Sequence, residues 1–226
     1  MSRIETENHL PDKIWARVPV LLSHDWVVLF FDLYRALRFW INHQRHEGIY
    51  EILDYDSTLE LLDVKGKNAI FKKRQQVKFL QNYISTFQDY VWGDGEIFAD
   101  YKCSPGRVVD RYQEGDRWNI LISLRETKNS GDIEDFYIER TVKNTFTKEE
   151  EWRQIEIRHK TRHLKNSIIF PKQRYCKRAV LQQRSRHRTI VLGPEFFSKM
   201  PDGRQKLTWE TRKIRHFEIY TIRWTW

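Results

Sequence analysis

The chain of 226 residues has little cysteine, proline or glycine: two cysteines, six prolines and nine glycines. Cys103 and Cys176 are too few for a disulfide framework or a zinc cluster, which favours a reducing, cytoplasmic setting. Nine Trp, ten Tyr and thirteen Phe accompany these few prolines and glycines. Such a composition argues against a disordered chain and supplies enough apolar surface for a substantial core.

Long hydrophobic runs are also missing. A membrane-spanning helix needs ~20 consecutive, mostly uncharged apolar residues. The longest apolar region, 18–41, is interrupted by five polar or charged side chains: His24, Asp25, Asp32, Arg35 and Arg38. The first ten residues lack the apolar core of a signal peptide. The sequence therefore predicts a cytoplasmic protein without a membrane span.

Acidic residues are absent from residues 157–194, a stretch that contains eleven lysines and arginines. The formal net charge of the whole chain is +9, so the remaining residues sum to −2 (9 − 11). The protein is thus a nearly neutral body with one basic block. A block of this kind either presents cations to a polyanion, such as a nucleic acid, or forms a solvated face.

Two parts of the basic block group their cations. Alternation over 157–163 predicts a strand with three cations on one face. Three further cations lie between two short apolar segments and predict the tip of a hairpin over 184–188. We expect these six cations to bind an anionic ligand: Arg158, Lys160, Arg162, Arg184, Arg186 and Arg188. In the alternative interpretation they pair with Glu149, Glu150 and Glu151 on a solvated strand face.

Residues 23–47 have the pattern of an amphipathic helix that follows a flexible segment, 1–22. Ser23 suits the N-cap position, and Gly48 suits the position after the last turn. Apolar side chains cover more than the ~100° that one packing face requires. We therefore expect the helix to dock on a partner protein or on a second copy of the chain, although the β domain could cover both sides. The expected interface residues are Trp26, Phe30, Phe31, Tyr34, Leu37 and Trp40.

From residue 48 to residue 226 the apolar period changes from helical to alternating, most clearly at 118–124 and 219–226. About nine to eleven short strands predict a mainly β domain, an antiparallel β-sandwich or a partly open barrel. A turn at 129–132 predicts a hairpin between strands at 118–124 and 136–142. The side chains predicted to form the core are Trp118, Ile120, Ile122, Leu124, Phe136, Ile138, Tyr220, Ile222 and Trp224.

One short motif carries carboxylates at a catalytic spacing. Residues 52–59 place Asp54 and Asp56 after an apolar pair and before Thr58. This segment resembles the first motif of the haloacid-dehalogenase phosphatase family, an apolar strand followed by DxDxT. The resemblance implies that Asp54 is a nucleophile and Asp56 a general acid for phosphoryl transfer, and it covers only these few residues.

Other motifs of catalysis are missing from the sequence: it has no phosphate-binding glycine loop, no nucleophile elbow and no zinc-finger spacing. No residue is predicted to be catalytic, and no metal or cofactor is expected. We therefore predict a non-enzymatic binding, sensing or protein-interaction protein that uses the basic surface for an anionic ligand and the helix for assembly. The alternatives are a nucleic-acid-binding protein and a phosphatase-like enzyme centred on Asp54 and Asp56.

Overall fold

The computed structural model describes residues 48–92 and 96–226. The predicted N-terminal helix and all six of its expected interface residues lie outside the described residues. The strands are Tyr50–Leu61 (β1), Asn68–Phe79 (β2), Ile84–Trp92 (β3), Glu96–Ser104 (β4), Arg107–Glu114 (β5), Arg117–Lys128 (β6), Ile133–Lys143 (β7), Glu150–Glu156 (β8), Leu164–Phe170 (β9), Arg178–Gln183 (β10), Arg188–Val191 (β11), Phe197–Lys199 (β12), Gln205–Thr211 (β13) and Ile219–Thr225 (β14). A single 3-10 turn, Pro194–Phe196, precedes β12.

The strands form three sheets. The large sheet has seven strands in the order β12-β13-β9-β1-β2-β7-β4, the second has four in the order β11-β10-β14-β8, and the third has three in the order β3-β6-β5. The prediction of a mainly β fold is confirmed, and the sheets do not close into a barrel. One pair departs from the expected antiparallel pattern, because β1 and β9 run parallel.

The tight turn between β1 and β2 shows how local sequence sets the register. The Asp63 carboxylate accepts hydrogen bonds from the backbone N–H groups of Lys65 at 2.9 Å and Asn68 at 2.8 Å. Gly66 has φ +65°, and a Cβ at this position would lie 1.6 Å from the carbonyl oxygen of Phe146. Only glycine fits both the dihedral angle and the space. The turn then starts a long antiparallel pairing of β1 with β2.

Alternating side chains of the strands make the core. Eight of the nine core positions predicted from the sequence are buried, from Ile120 and Ile122 in β6 to Trp224 in β14. Trp118 is partly buried and packs against the same cluster. Because successive side chains of a strand point to opposite faces, a correct period locates the core even where the strand pairing is not known.

The predicted hairpin between β6 and β7 is wrong. The turn exists, since the N–H of Asp132 donates to the carbonyl of Asn129 at 3.1 Å. However, β6 pairs with β3 and β5, whereas β7 pairs with β2 and β4. The turn is held by the end of β2, where Gly131 donates to the Phe79 carbonyl at 2.9 Å. The chain therefore passes here from one sheet to another instead of continuing the same sheet.

Aromatic contacts show how the sheets face one another. Phe87 of β3 stacks on Phe136 of β7 at 4.0 Å between ring centroids, which joins the three-stranded sheet to the large sheet. Phe170 of β9 meets Trp224 of β14 edge-on at 6.1 Å, which joins the four-stranded sheet to it as well. The two smaller sheets thus cover one face of the large sheet, and one continuous apolar cluster lies between them.

Within the described residues, no helix is long and apolar enough to cross a membrane.

The core predicts a large effect of one substitution. Trp224 is 1% exposed, so Trp224→Ala should lower the free energy of unfolding by ~3–5 kcal/mol through the cavity it leaves. Urea denaturation followed by circular dichroism measures the change. Tyr175→Ala, at a half-exposed position in a loop, is the control and should stay within ~0.5 kcal/mol of the native protein. Equal losses for the two variants would contradict the core assignment.

Candidate functional site

The segment 157–163, predicted to be a cationic strand, is instead an irregular connection between β8 and β9. Its backbone bonds to two different elements. The N–H of Ile157 donates to the carbonyl of Glu218 at 2.9 Å, and the carbonyl of Lys160 accepts from the N–H of Ile52 at 2.8 Å. The segment still buries Ile157 and His159 and exposes Lys160. The alternating pattern therefore belongs to a loop whose backbone is hydrogen-bonded to two elements. Sequence spacing alone does not distinguish such a loop from a strand.

The three cations of this segment are paired with carboxylates. Arg158 lies 3.3 Å from Glu156. Arg162 and Lys160 lie 2.6 Å and 3.7 Å from Glu51, whose side chain is 5% exposed. These cations neutralise carboxylates of the fold itself, so they are less available to a ligand than unpaired cations.

The other predicted group is presented differently. Arg184, Arg186 and Arg188 lie at the exposed tip of the hairpin between β10 and β11, as the sequence predicted. Within the described part of the chain, none of the three forms an ion pair. Their charges face solvent without a neutralising carboxylate.

A buried carboxylate holds this hairpin in place. Glu218 is 0% exposed, and its Oε1 accepts hydrogen bonds from the backbone N–H groups of Ser185 at 2.7 Å and Ile219 at 3.1 Å. The carbonyl of Ile219 also accepts from the N–H of Arg184 at 3.1 Å. The base of the charged tip is thus bonded to the start of β14, so the arginines project from an anchored loop.

A second group of cations joins the hairpin, and the sequence prediction missed it. Arg212, Lys213 and Arg215 are exposed in the connection between β13 and β14. Burial raises the pKa of Tyr220, and the charges of Arg186 and Arg215 act in the opposite direction, so both cations lie near this one hydroxyl. The available signal was three cations within four positions, 212–215.

We call this surface the basic end. It is formed by Arg184, Arg186, Arg188, Arg212, Lys213 and Arg215.

The acidic neighbours proposed as partners of the six predicted cations are engaged elsewhere. Glu149 pairs with Lys177 at 3.8 Å, and Glu150 pairs with Arg223 at 3.7 Å. Glu151 accepts the backbone N–H of Lys148 at 2.6 Å. Arg158, Lys160 and Arg162 therefore pair with Glu51 and Glu156 instead. Within the basic block, Glu149 pairs with a cation outside the predicted six, Lys177.

Asp54 and Asp56 belong to a network of charges on the outer face of the large sheet. Asp54 lies 3.0 Å from Arg74 and 2.6 Å from His163, and Asp56 lies 3.0 Å from Lys165. Strand β1 is followed by a tight turn and then by an antiparallel strand, β2. The two carboxylates act here as cross-strand ion pairs.

Neither cysteine has the low pKa of a reactive thiol. Burial raises the pKa of the Cys176 thiol to about 12 and also raises that of Cys103, so neither is a thiolate near neutral pH. Among the described residues, no three His, Cys, Asp or Glu side chains are placed to hold a metal ion.

A cavity of about 450 Å³ lies between the inner face of the large sheet and strands β3 and β8. Its polar side chains include a buried ion pair, in which Lys73 of β2 contacts Asp89 of β3. The Tyr101 hydroxyl donates to the second oxygen of Asp89 at 2.8 Å. Burial, together with the charge of Asp89, raises the pKa of Tyr101, so this donor keeps its proton.

Two arginines also line this cavity. The guanidinium groups of Arg140 and Arg153 lie 4.6 Å and 4.8 Å from the ring centroid of Phe71. Burial lowers the pKa of each to about 10, which leaves both charged near neutral pH. The interior therefore contains desolvated positive charge beside an aromatic face.

No protein-family model matches the chain, and no curated protein matches it. Solved structures with a similar arrangement include an M1 zinc metallopeptidase from Deinococcus radiodurans, at 10% identity and a TM-score of 0.45. A mutant of that enzyme bound to a Tyr-ser-ala substrate gives 10% identity and a TM-score of 0.48. In both comparisons the match covers 77% of this chain and 42% of the other. The chain thus spans less than half of these structures, and the similarity is too low to support any functional conclusion.

The anchoring role of Glu218 can be tested by two substitutions. Glu218→Gln keeps an oxygen for the N–H groups of Ser185 and Ile219 and should preserve the hairpin. Glu218→Ala leaves these donors without their acceptor and should lower the free energy of unfolding by ~1–3 kcal/mol. Urea denaturation of both variants measures the difference. If Glu218→Ala is as stable as the native protein, the carboxylate does not anchor the hairpin.

Proposed function

We propose that this protein is a non-enzymatic binding protein that takes a polyanion on its basic end. The ligands share one chemistry, a chain of closely spaced phosphates or sulfates such as a single-stranded nucleic acid. The observation that supports this proposal is the exposed hairpin tip, whose arginines have no carboxylate partner among the described residues.

The arrangement of charge supports a polyanion rather than a small ion. The cations of the basic end come from two adjacent connections, and each lies on the surface. Exposed cations are strongly hydrated and screened, so a single one contributes little to binding. Several phosphates engaged together gain affinity by releasing their counterions. An exposed cluster of this kind therefore suits an extended ligand.

The two groups of predicted cations have different roles in this proposal. Arg184, Arg186 and Arg188 contact the ligand. Lys160 and Arg162 instead neutralise the buried Glu51, and their removal affects the scaffold. A binding role is proposed over phosphatase chemistry because Asp54 and Asp56 are occupied in ion pairs.

The salt dependence of binding tests the proposal. If each arginine of the hairpin tip contacts one phosphate of a single strand, the logarithm of the association constant falls with log salt at a slope of about −2. Binding of a fluorescent single-stranded DNA oligonucleotide, measured by anisotropy, should weaken accordingly between low and physiological salt. Arg184→Ala combined with Arg186→Ala should reduce the slope by about 1.4, which is two contacts at 0.7 each.

The matched control has the same change in net charge at another place. Lys65→Ala combined with Lys67→Ala removes two exposed cations from the turn between β1 and β2. The turn follows the last residue of β1. Segment 157–163, which bonds to Glu218 beside the basic end, contacts β1 near its first residues, at Ile52. The control should bind like the native protein. No binding at low salt, or equal losses for both double variants, would refute a local site.

Assembly through the N-terminal helix is the second part of the proposal. It comes from the sequence pattern, in which one apolar stripe contains Trp26 and a second contains Phe31. Light scattering should give a mass above that of one chain if the helix associates with a second copy. Trp26→Glu and Phe31→Glu place a charge on different stripes, and the variant on the associating stripe should become monomeric. A native protein that is already monomeric and contacts no partner through this segment would exclude the proposal.

A further inference from the structure

The cavity between the sheets has the size and lining of a ligand site. Its volume of about 450 Å³ lies within the ~300–1,000 Å³ of pockets that hold small molecules. One part of the wall is apolar and comes from Ile52, Leu59, Phe87, Val142 and Ile155. The polar part includes the two guanidinium groups of Arg140 and Arg153, which lie beside the Phe71 ring.

Arg153, in this wall, has a buried nitrogen without a hydrogen-bond partner. The side chain is 8% exposed. Its Nη1 donates to the carbonyl of Ser167 at 3.1 Å, whereas its Nη2 has no hydrogen-bond partner. Among the described residues, no carboxylate lies within 4.0 Å of this guanidinium. A buried charge in this state destabilises the fold unless an anion compensates it.

The carboxylates around the cavity are committed to other partners. Asp89 contacts Lys73 and accepts from Tyr101. Glu156 lies 2.6 Å from Arg117 and also binds Arg158. Among the described residues, Arg153 therefore has an aromatic face and one carbonyl but no carboxylate within 4.0 Å.

We propose that the cavity binds an organic anion, a carboxylate or sulfonate with an aromatic or aliphatic body. The anionic group pairs with Arg153 beside Arg140, and the body fills the apolar part of the wall. This site differs from the basic end in position. Its charges are also buried, so salt screens them poorly, whereas the charges of the basic end are exposed.

The probe pair 8-anilinonaphthalene-1-sulfonate and N-phenyl-1-naphthylamine tests the charge requirement, because the two dyes share a body and differ in the sulfonate. The full chain should bind the sulfonate dye saturably, with one site and a dissociation constant about tenfold below that of the neutral dye. Fluorescence titration measures both constants. This comparison needs no substitution, so it decides the question even if a cavity variant fails to fold.

Arg153→Met gives the second measurement. The variant should bind the sulfonate dye about tenfold more weakly than the native protein and bind the neutral dye equally well. Its melting temperature without dye should be equal to or above that of the native protein, since an apolar side chain of similar volume replaces a buried charge. Arg188→Met, in the hairpin tip, is the matched control and should change neither dye affinity.

Three results would overturn the inference. They are absence of saturable binding of the sulfonate dye, equal affinity of the native protein for both dyes, and a loss of sulfonate binding in Arg188→Met as large as in Arg153→Met. The last result would assign the dye to the basic end. Binding of the oligonucleotide is measured separately, so failure of the cavity site leaves the proposed function untouched.

Discussion

The buried ion pair between Lys73 and Asp89 sets the spacing of the interior. It joins the middle of β2 to the middle of β3, and the Tyr101 hydroxyl donates a hydrogen bond to the second oxygen of Asp89. Burying two charges costs several kcal/mol per ion unless each meets its partner in good geometry. The pair therefore fixes where the three-stranded sheet sits above the large one. The gap that remains between β3 and β8 is the cavity, so its shape depends on this contact.

Alternation predicted the faces of strands well because it depends on a local geometric rule. The last strand buries Tyr220, Ile222 and Trp224, as expected from the sequence. Pairing between strands was predicted less well. The turn at 129–132 indicates that the chain reverses, but it does not indicate which sheet receives the next strand. Loop 157–163 has the alternation of a strand, but its backbone bonds partly to Glu218 and partly to Ile52 and is not part of a regular strand.

The candidate sites divide in the same way. The hairpin tip was predictable because its three arginines are neighbours in the sequence. Pairing of Arg162 with Glu51 spans 111 positions, and no local pattern contains it. The cavity site needs Phe71, Arg140 and Arg153 from three strands. Each of these residues is unremarkable in the sequence, and only their packing brings the two guanidinium groups to one ring.

The parallel pairing of β1 with β9 has a consequence for how the chain reaches its folded state. Asp56 of β1 pairs with Lys165 of β9, 109 positions away. The central strand of the large sheet cannot be completed until a loop of that length closes, and loop closure must precede the contacts that reward it. Folds dominated by such distant pairings fold in roughly milliseconds to seconds, orders of magnitude slower than helical bundles. Until β9 pairs with it, β1 has an unpaired edge, and an unpaired edge is a template that another chain could extend.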